Sequence, residues 1–125
     1  MTRPPPRPVH TLLGESTLGT SLVCLPTVSR YSADPVRFVV HEDGTLTEAG
    51  RDALREALPA VEFVPRPRAD EQVNEHLRNY PLSRAARGAN LMFLKLFDVA
   101  LLEPGELLYC DSDILFLRPF SGLFA

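Results

Sequence analysis

The chain has no tryptophan, only two cysteines, and no apolar run near the roughly 20 residues that a membrane span requires. Cys24 and Cys110 lie far apart among apolar neighbours, with neither CxxC spacing nor the clustered histidines of a zinc site. They read as two reduced, buried thiols of a reducing compartment, so the expected location is the cytoplasm. No apolar segment with a cleavage site follows the amino terminus, and no secretory signal is expected. An excess of one charge is missing too. Thirteen basic against sixteen acidic side chains leave a formal charge of -3, which supplies neither a basic face for nucleic acid nor an acidic tail. Neither a nucleic-acid partner nor a transmembrane segment is expected.

What remains is enough for one core. With 125 residues, 45% of them hydrophobic, the chain amounts to a single domain or part of one. Four prolines and two arginines fill residues 1–8, which read as a disordered, polyproline-like arm, leaving 9–125 for the fold. Residues 9–13 form a short apolar run closed by Gly14, a first strand and its turn. Ser16 or Thr17 can cap the next helix, whose Leu18, Leu22, Leu25 and Val28 recur at helical spacing. Pro26 inside it should kink the helix or end it early.

A second strand over 36–41 runs into the turn His41-Glu-Asp-Gly44, and Thr45-Leu-Thr-Glu48 has the capping-box pattern. Ala49, Ala53, Leu54, Ala57 and Leu58 mark the inner face of the helix that follows, stopped by Pro59. After a third strand at 61–64, the prolines of 65–68 should interrupt regular structure, with Asp70 capping a polar helix to about Tyr80. Pro81 opens another short element. Over 89–102 apolar residues cover nearly the whole helical circumference, with Lys95 and Asp98 the only charges. That pattern predicts the most buried helix of the chain. Glu103-Pro-Gly105 then turns the backbone.

Next comes the most informative stretch, Leu107-Leu-Tyr-Cys-Asp-Ser-Asp113 followed by Ile114, Leu115, Phe116 and Leu117. It reads as a buried strand ending in two carboxylates. In an extended chain residues i and i+2 share a side, so Asp111 and Asp113 can face one hard cation such as Mg²⁺ or Mn²⁺. The alternative is a plain turn, since Asp and Ser also favour turns and caps. Alternating strands and helices predict an α/β fold, a Rossmann-like parallel sheet with helices on both faces. If the strands run 3-2-1 with the fourth on the other side of the first, both aspartates stand at the reversal of strand order, where ligands bind.

Asn90-Leu-Met-Phe-Leu-Lys-Leu-Phe-Asp-Val-Ala-Leu-Leu102, with Leu107-Leu-Tyr-Cys-Asp-Ser-Asp-Ile-Leu-Phe116 and Pro119, resembles the central segment of nucleotide-diphospho-sugar glycosyltransferases of the GT-A fold, nearest family 8. The resemblance extends loosely over His41-Glu-Asp-Gly-Thr-Leu46 and Ala69-Asp70. It implies that Asp111-Ser112-Asp113 is the DxD signature, with both aspartates as ligands of Mn²⁺ or Mg²⁺. It further implies a nucleotide-diphosphate sugar as donor, with Lys95 near the diphosphate. His41, Asp43, Gly14 and Glu15 would lie by the nucleotide, and the acceptor would be an unknown sugar, lipid or protein hydroxyl. Family members continue with further strands, an acceptor site and a metal-binding histidine. The chain is therefore expected to be an amino-terminal half, apparently truncated and inactive alone.

Two other classes use similar letters. Haloacid-dehalogenase-like phosphatases end a parallel strand in Asp-x-Asp, but prefer Thr or Val where Leu115 stands and carry the motif on their first strand. A nucleotide-binding or interaction module without catalysis is the third reading.

Overall fold

A computed structural model describes residues 3–102 and 105–124 of the chain. Three parallel strands, β1 (Arg7–Leu13), β2 (Val36–Glu42) and β3 (Glu62–Val64), form a sheet in which β2 is central. Between and after them come a 3₁₀ turn (Glu15–Thr17) and helices α1 (Leu18–Tyr31), α2 (Glu48–Ala57), α3 (Arg66–His76), α4 (Pro81–Ala89) and α5 (Phe93–Leu102). The architecture is α/β with a small parallel sheet. No helix among the described residues is long and apolar enough to cross a membrane.

Alternation along the strands explains the layering. Val9, Leu13, Phe38 and Val40 point to one side, where Leu25 and Val28 of α1 and Leu54 of α2 complete the larger core. Val39 and Val64 point to the other, against Ala69 of α3 and Leu102 of α5. Helices thus cover both faces. Cys24 and Cys110 are free and buried.

Several expectations change. The strand begins at Arg7, so Arg7 and Pro8 belong to the sheet rather than to a disordered arm; Met1 and Thr2 lie outside the described residues. Arg7 is held by its N–H to the Pro35 carbonyl (2.8 Å), by Glu106 (3.1 Å) and by the Phe124 ring (4.9 Å). Helix α1 runs past Pro26 to Tyr31. Its neighbour Thr27 donates to the Cys24 carbonyl (2.6 Å) and receives the Phe116 N–H (3.0 Å), which ties this stretch to a later loop.

Thr47, not Thr45, caps α2, accepting the Gly50 N–H at 3.0 Å, and Ala49 is exposed. Gly44 makes the preceding turn at φ 103°, a left-handed value that favours glycine. The prolines at 65 and 67 start a helix instead of breaking structure, because the first helical turn needs no internal donors. Asp70 accordingly lies inside α3 and caps nothing, and the helix ends at His76 rather than near Tyr80.

Helix α5 has the largest buried share of the helices, three residues in ten against four in fourteen for α1, though by a narrow margin. It starts at Phe93 and fully buries only Leu94, Asp98 and Val99, whereas Leu96 is 60% exposed. The expected Glu103-Pro-Gly105 turn falls at Glu103 and Pro104 outside the described residues, while Gly105 has φ 95°.

The expected fourth strand lies beside β1, on the edge opposite β2, but as a single parallel bridge between His10 and Tyr109. Its two backbone bonds are His10 N–H to Leu108 O and Cys110 N–H to His10 O, both 2.9 Å. Where a third would follow, the Leu12 N–H donates to the Tyr109 hydroxyl (3.3 Å). A side chain has taken the donor that would have extended the ladder. The residues after the aspartates are also less buried than their apolar letters suggest, with Ile114 at 43% and Leu117 at 76% exposure.

Candidate functional site

The carboxyl ends of β1 and of the bridged segment 108–110 enclose a cavity of about 400 Å³. This is the point where strand order reverses, β1 having β2 on one side and the later segment on the other. Asp111, Ser112 and Asp113 form one wall, and Lys95 reaches in from α5. Gly14, directly after β1, and Asp43, directly after β2, lie on the other side. Thr17 and Thr20 add hydroxyls. Leu12, Leu13, Leu91 and Met92 supply the apolar part. The volume falls at the small end of ligand pockets, which run to about 300–1,000 Å³.

Each polar group is fixed differently. The Lys95 ammonium donates to Asp111 Oδ1 at 2.6 Å and lies 5.6 Å from the centre of the Tyr109 ring. Burial pushes the Tyr109 phenol above its ordinary pKa; the Leu12 N–H opposes this and the Asp111 carboxylate adds to it. Burial first, then the Asp111 and Asp113 charges and Cys24, push the Cys110 thiol up to about 11, so it stays protonated and unreactive.

Asp43 is locked from two sides. Its Oδ1 accepts from the Thr45 N–H (2.8 Å) and hydroxyl (2.6 Å). Its carboxylate also lies so close over the Gly14 Cα that a Cβ there would overlap it. The backbone of Gly14 is extended, with φ −144°, so glycine is required for space and not for conformation. Gly14→Ala should therefore cost about 1–3 kcal/mol in chemical denaturation. In an Asp43→Ala background the same change should cost much less.

The loop carrying Asp43 is also braced from beneath. Arg66 donates to the Asp43 carbonyl (3.0 Å) and to Asp70 (2.7 Å). Asp70 accepts from Arg87 (2.8 Å), and Arg87 makes two further bonds of 2.8 Å to Asp98. Arg87 and the Asp98 side chain are each only 2% exposed. Asp98 first, against the effect of burial and with help from Asp70, holds the Arg87 guanidinium above its ordinary pKa.

Of the residues expected at the site, Gly14, Asp43, Lys95, Asp111 and Asp113 share the cavity, whereas His41 and Glu15 do not. His41 is 2% exposed and turns inward, its Nε2 lying 2.9 Å from Nδ1 of His10. Its place on β2 puts its side chain on the sheet face, one step before the loop. Glu15 instead accepts from the Thr47 N–H (3.0 Å) and hydroxyl (3.3 Å), clamping the 3₁₀ turn to the start of α2.

Thr17, Thr20, Leu91 and Met92 line the cavity although the sequence assigns none of them to the site. Leu91 and Met92 read as helix interior, but they sit in the turn before α5, where the Asn90 side chain accepts the Met92 N–H at 2.9 Å.

No three His, Cys, Asp or Glu side chains among the described residues form a group that could enclose a metal. Two carboxylates on one cavity suit a different class of cation, the hard divalent ions that take only one or two protein oxygens and draw the rest from water and phosphate. The donor set fits Mg²⁺ or Mn²⁺ in that manner. The chain matches no protein-family model and no curated protein.

Proposed function

We propose that this cavity binds the diphosphate of a nucleotide sugar together with Mn²⁺ or Mg²⁺, and that the chain is the donor-binding part of a glycosyltransferase of Rossmann-like, GT-A organisation. The observation that carries this reading is the meeting of Asp111, Asp113 and Lys95 on one cavity at the strand carboxyl ends. Diphosphate recognition needs anionic oxygens for a cation and a cation of the protein's own for the phosphate oxygens.

Asp111 and Asp113 would hold the divalent ion, which when bound offsets the negative charge gathering on a leaving diphosphate. Lys95 would neutralise part of the same charge. The Thr20 hydroxyl can donate to phosphate or sugar oxygens, whereas that of Thr17 donates to the Gly14 carbonyl (3.2 Å), and the pinned Asp43 can accept from a ribose or sugar hydroxyl. Leu12, Leu91 and Met92 give the cavity apolar wall against which a ligand can pack. The acceptor, a sugar, lipid or protein hydroxyl, would attack the anomeric carbon as the diphosphate departs.

Calorimetry with UDP tests this reading. Affinity should be at least about tenfold higher with Mn²⁺ than with chelator, and Asp111→Asn or Asp113→Asn should remove most of the difference. Equal affinity in both conditions, or undiminished metal dependence in both variants, would contradict it. Phosphate release from a phosphomonoester would favour the phosphatase class instead.

A further inference from the structure

We infer that Lys95 is an exchangeable internal counter-ion: its ammonium holds Asp111 closed to divalent cations until a diphosphate draws it away, so that cation and diphosphate bind as a coupled pair. This rests on the donor-site reading above and adds the rule by which the site fills. The Lys95 Nζ lies 2.6 Å from Asp111 Oδ1, occupying the charge position that a metal ion would otherwise take. Lys95 is the sole basic side chain lining the cavity among the described residues. The cation at the carboxylate and the cation for the phosphates are therefore drawn from the same place.

Geometry makes the exchange feasible. The Lys95 side chain is 33% exposed and that of Asp111 47%, and partly solvated pairs of this kind are weak enough to break. The stem of Lys95 starts from α5, a fixed helix, while its four flexible carbons let the ammonium swing. Asp113 has no ion-pair partner among the described residues and lines the same cavity, so the two carboxylates differ in readiness.

A metal ion approaching Asp111 alone meets a like charge. With a diphosphate present, Lys95 gains anionic oxygens and releases Asp111. The two ligands then favour each other by the same factor, as linkage requires.

The experiment measures Mn²⁺ binding by the free-ion electron paramagnetic resonance signal, with and without UDP, for the wild type, Lys95→Met and Lys95→Arg. Lys95→Met should bind Mn²⁺ alone roughly two- to fivefold more tightly than the wild type, from the strength of such a pair. It should also lose most of the tightening that UDP produces. Lys95→Arg keeps the charge and should leave Mn²⁺ alone as weak as in the wild type. Circular dichroism of the variants should be unchanged, since the side chain is not part of the core. Unchanged or weaker Mn²⁺ binding by Lys95→Met without nucleotide, alongside metal-dependent UDP binding by the wild type, overturns the counter-ion role and leaves the donor-site reading standing. Wild-type UDP binding that ignores Mn²⁺ overturns both.

Discussion

Replacing Asp98 by alanine should destabilise the fold by roughly 3–5 kcal/mol, because it strands a buried guanidinium. Arg87 donates two 2.8 Å bonds to that carboxylate, and both side chains are almost fully enclosed. The remaining bond to Asp70, whose side chain is 39% exposed, leaves some compensation and keeps the loss toward the lower bound. A domain holds only about 5–15 kcal/mol in all, so the urea midpoint should drop far. Arg87→Met with Asp98→Leu should recover much of the loss, since apolar packing can replace a buried pair that is removed whole. A single variant as stable as the wild type would mean that solvent reaches the pair. Because the same network ends on the Asp43 carbonyl, partial loss of order in that loop should accompany the destabilisation.

The sequence carried a trace of this pair. Asp98 on a largely apolar helix calls for a cationic partner, but local spacing points to Lys95 three positions earlier rather than to Arg87, which lies 11 positions earlier on another helix. Periodicity reports which face of a helix is apolar; it does not report how many neighbours will cover it. For that reason Leu96 reads as core and emerges exposed.

The strand order was legible, since pairing direction follows from backbone geometry, and Lys95 was expected only from the family resemblance. Asp111 and Asp113 do share the cavity, but through a turn at Ser112 and Asp113, with the Ile114 N–H directed at the Asp111 carbonyl (3.4 Å), rather than through the extended chain that the i,i+2 spacing assumes. Strand length at 108–110 was not legible, because a tyrosine hydroxyl competes there for the Leu12 N–H. Gly14 was noted by position alone. Its physical role, making room for the Asp43 carboxylate, appears only when the ends of β1 and β2 are seen side by side. His41 illustrates the reverse case, a polar letter at a strand end whose side chain faces the interior.

That inward histidine should make the protein sensitive to mild acid. Burial first, and the charge of His10 second, lower the pKa of His41 from 6.5 to about 4. The unfolded chain, with the ordinary value, then binds the proton more readily than the folded one. Stability from this group is therefore complete above pH 6.5, falls as the pH drops from 6.5 toward 4, and falls no further below that. The difference of 2.5 between the two values amounts to about 3 kcal/mol. Paired carboxylates such as Asp70, held low by Arg66 and Arg87 against the effect of burial, lose their contribution as the pH falls from their ordinary value of 3.8 downward, so the larger part of the two processes separates on the pH axis. Urea unfolding at intervals from pH 7.5 to pH 4, in roughly half-unit steps, should show the decline, and His41→Gln, which keeps a hydrogen-bonding side chain beside His10, should flatten it. Proton resonances of the His41 ring should titrate near 4 in the folded protein. A ring that titrates at its ordinary value, with stability level across that interval, would mean that the histidine pair is open to water.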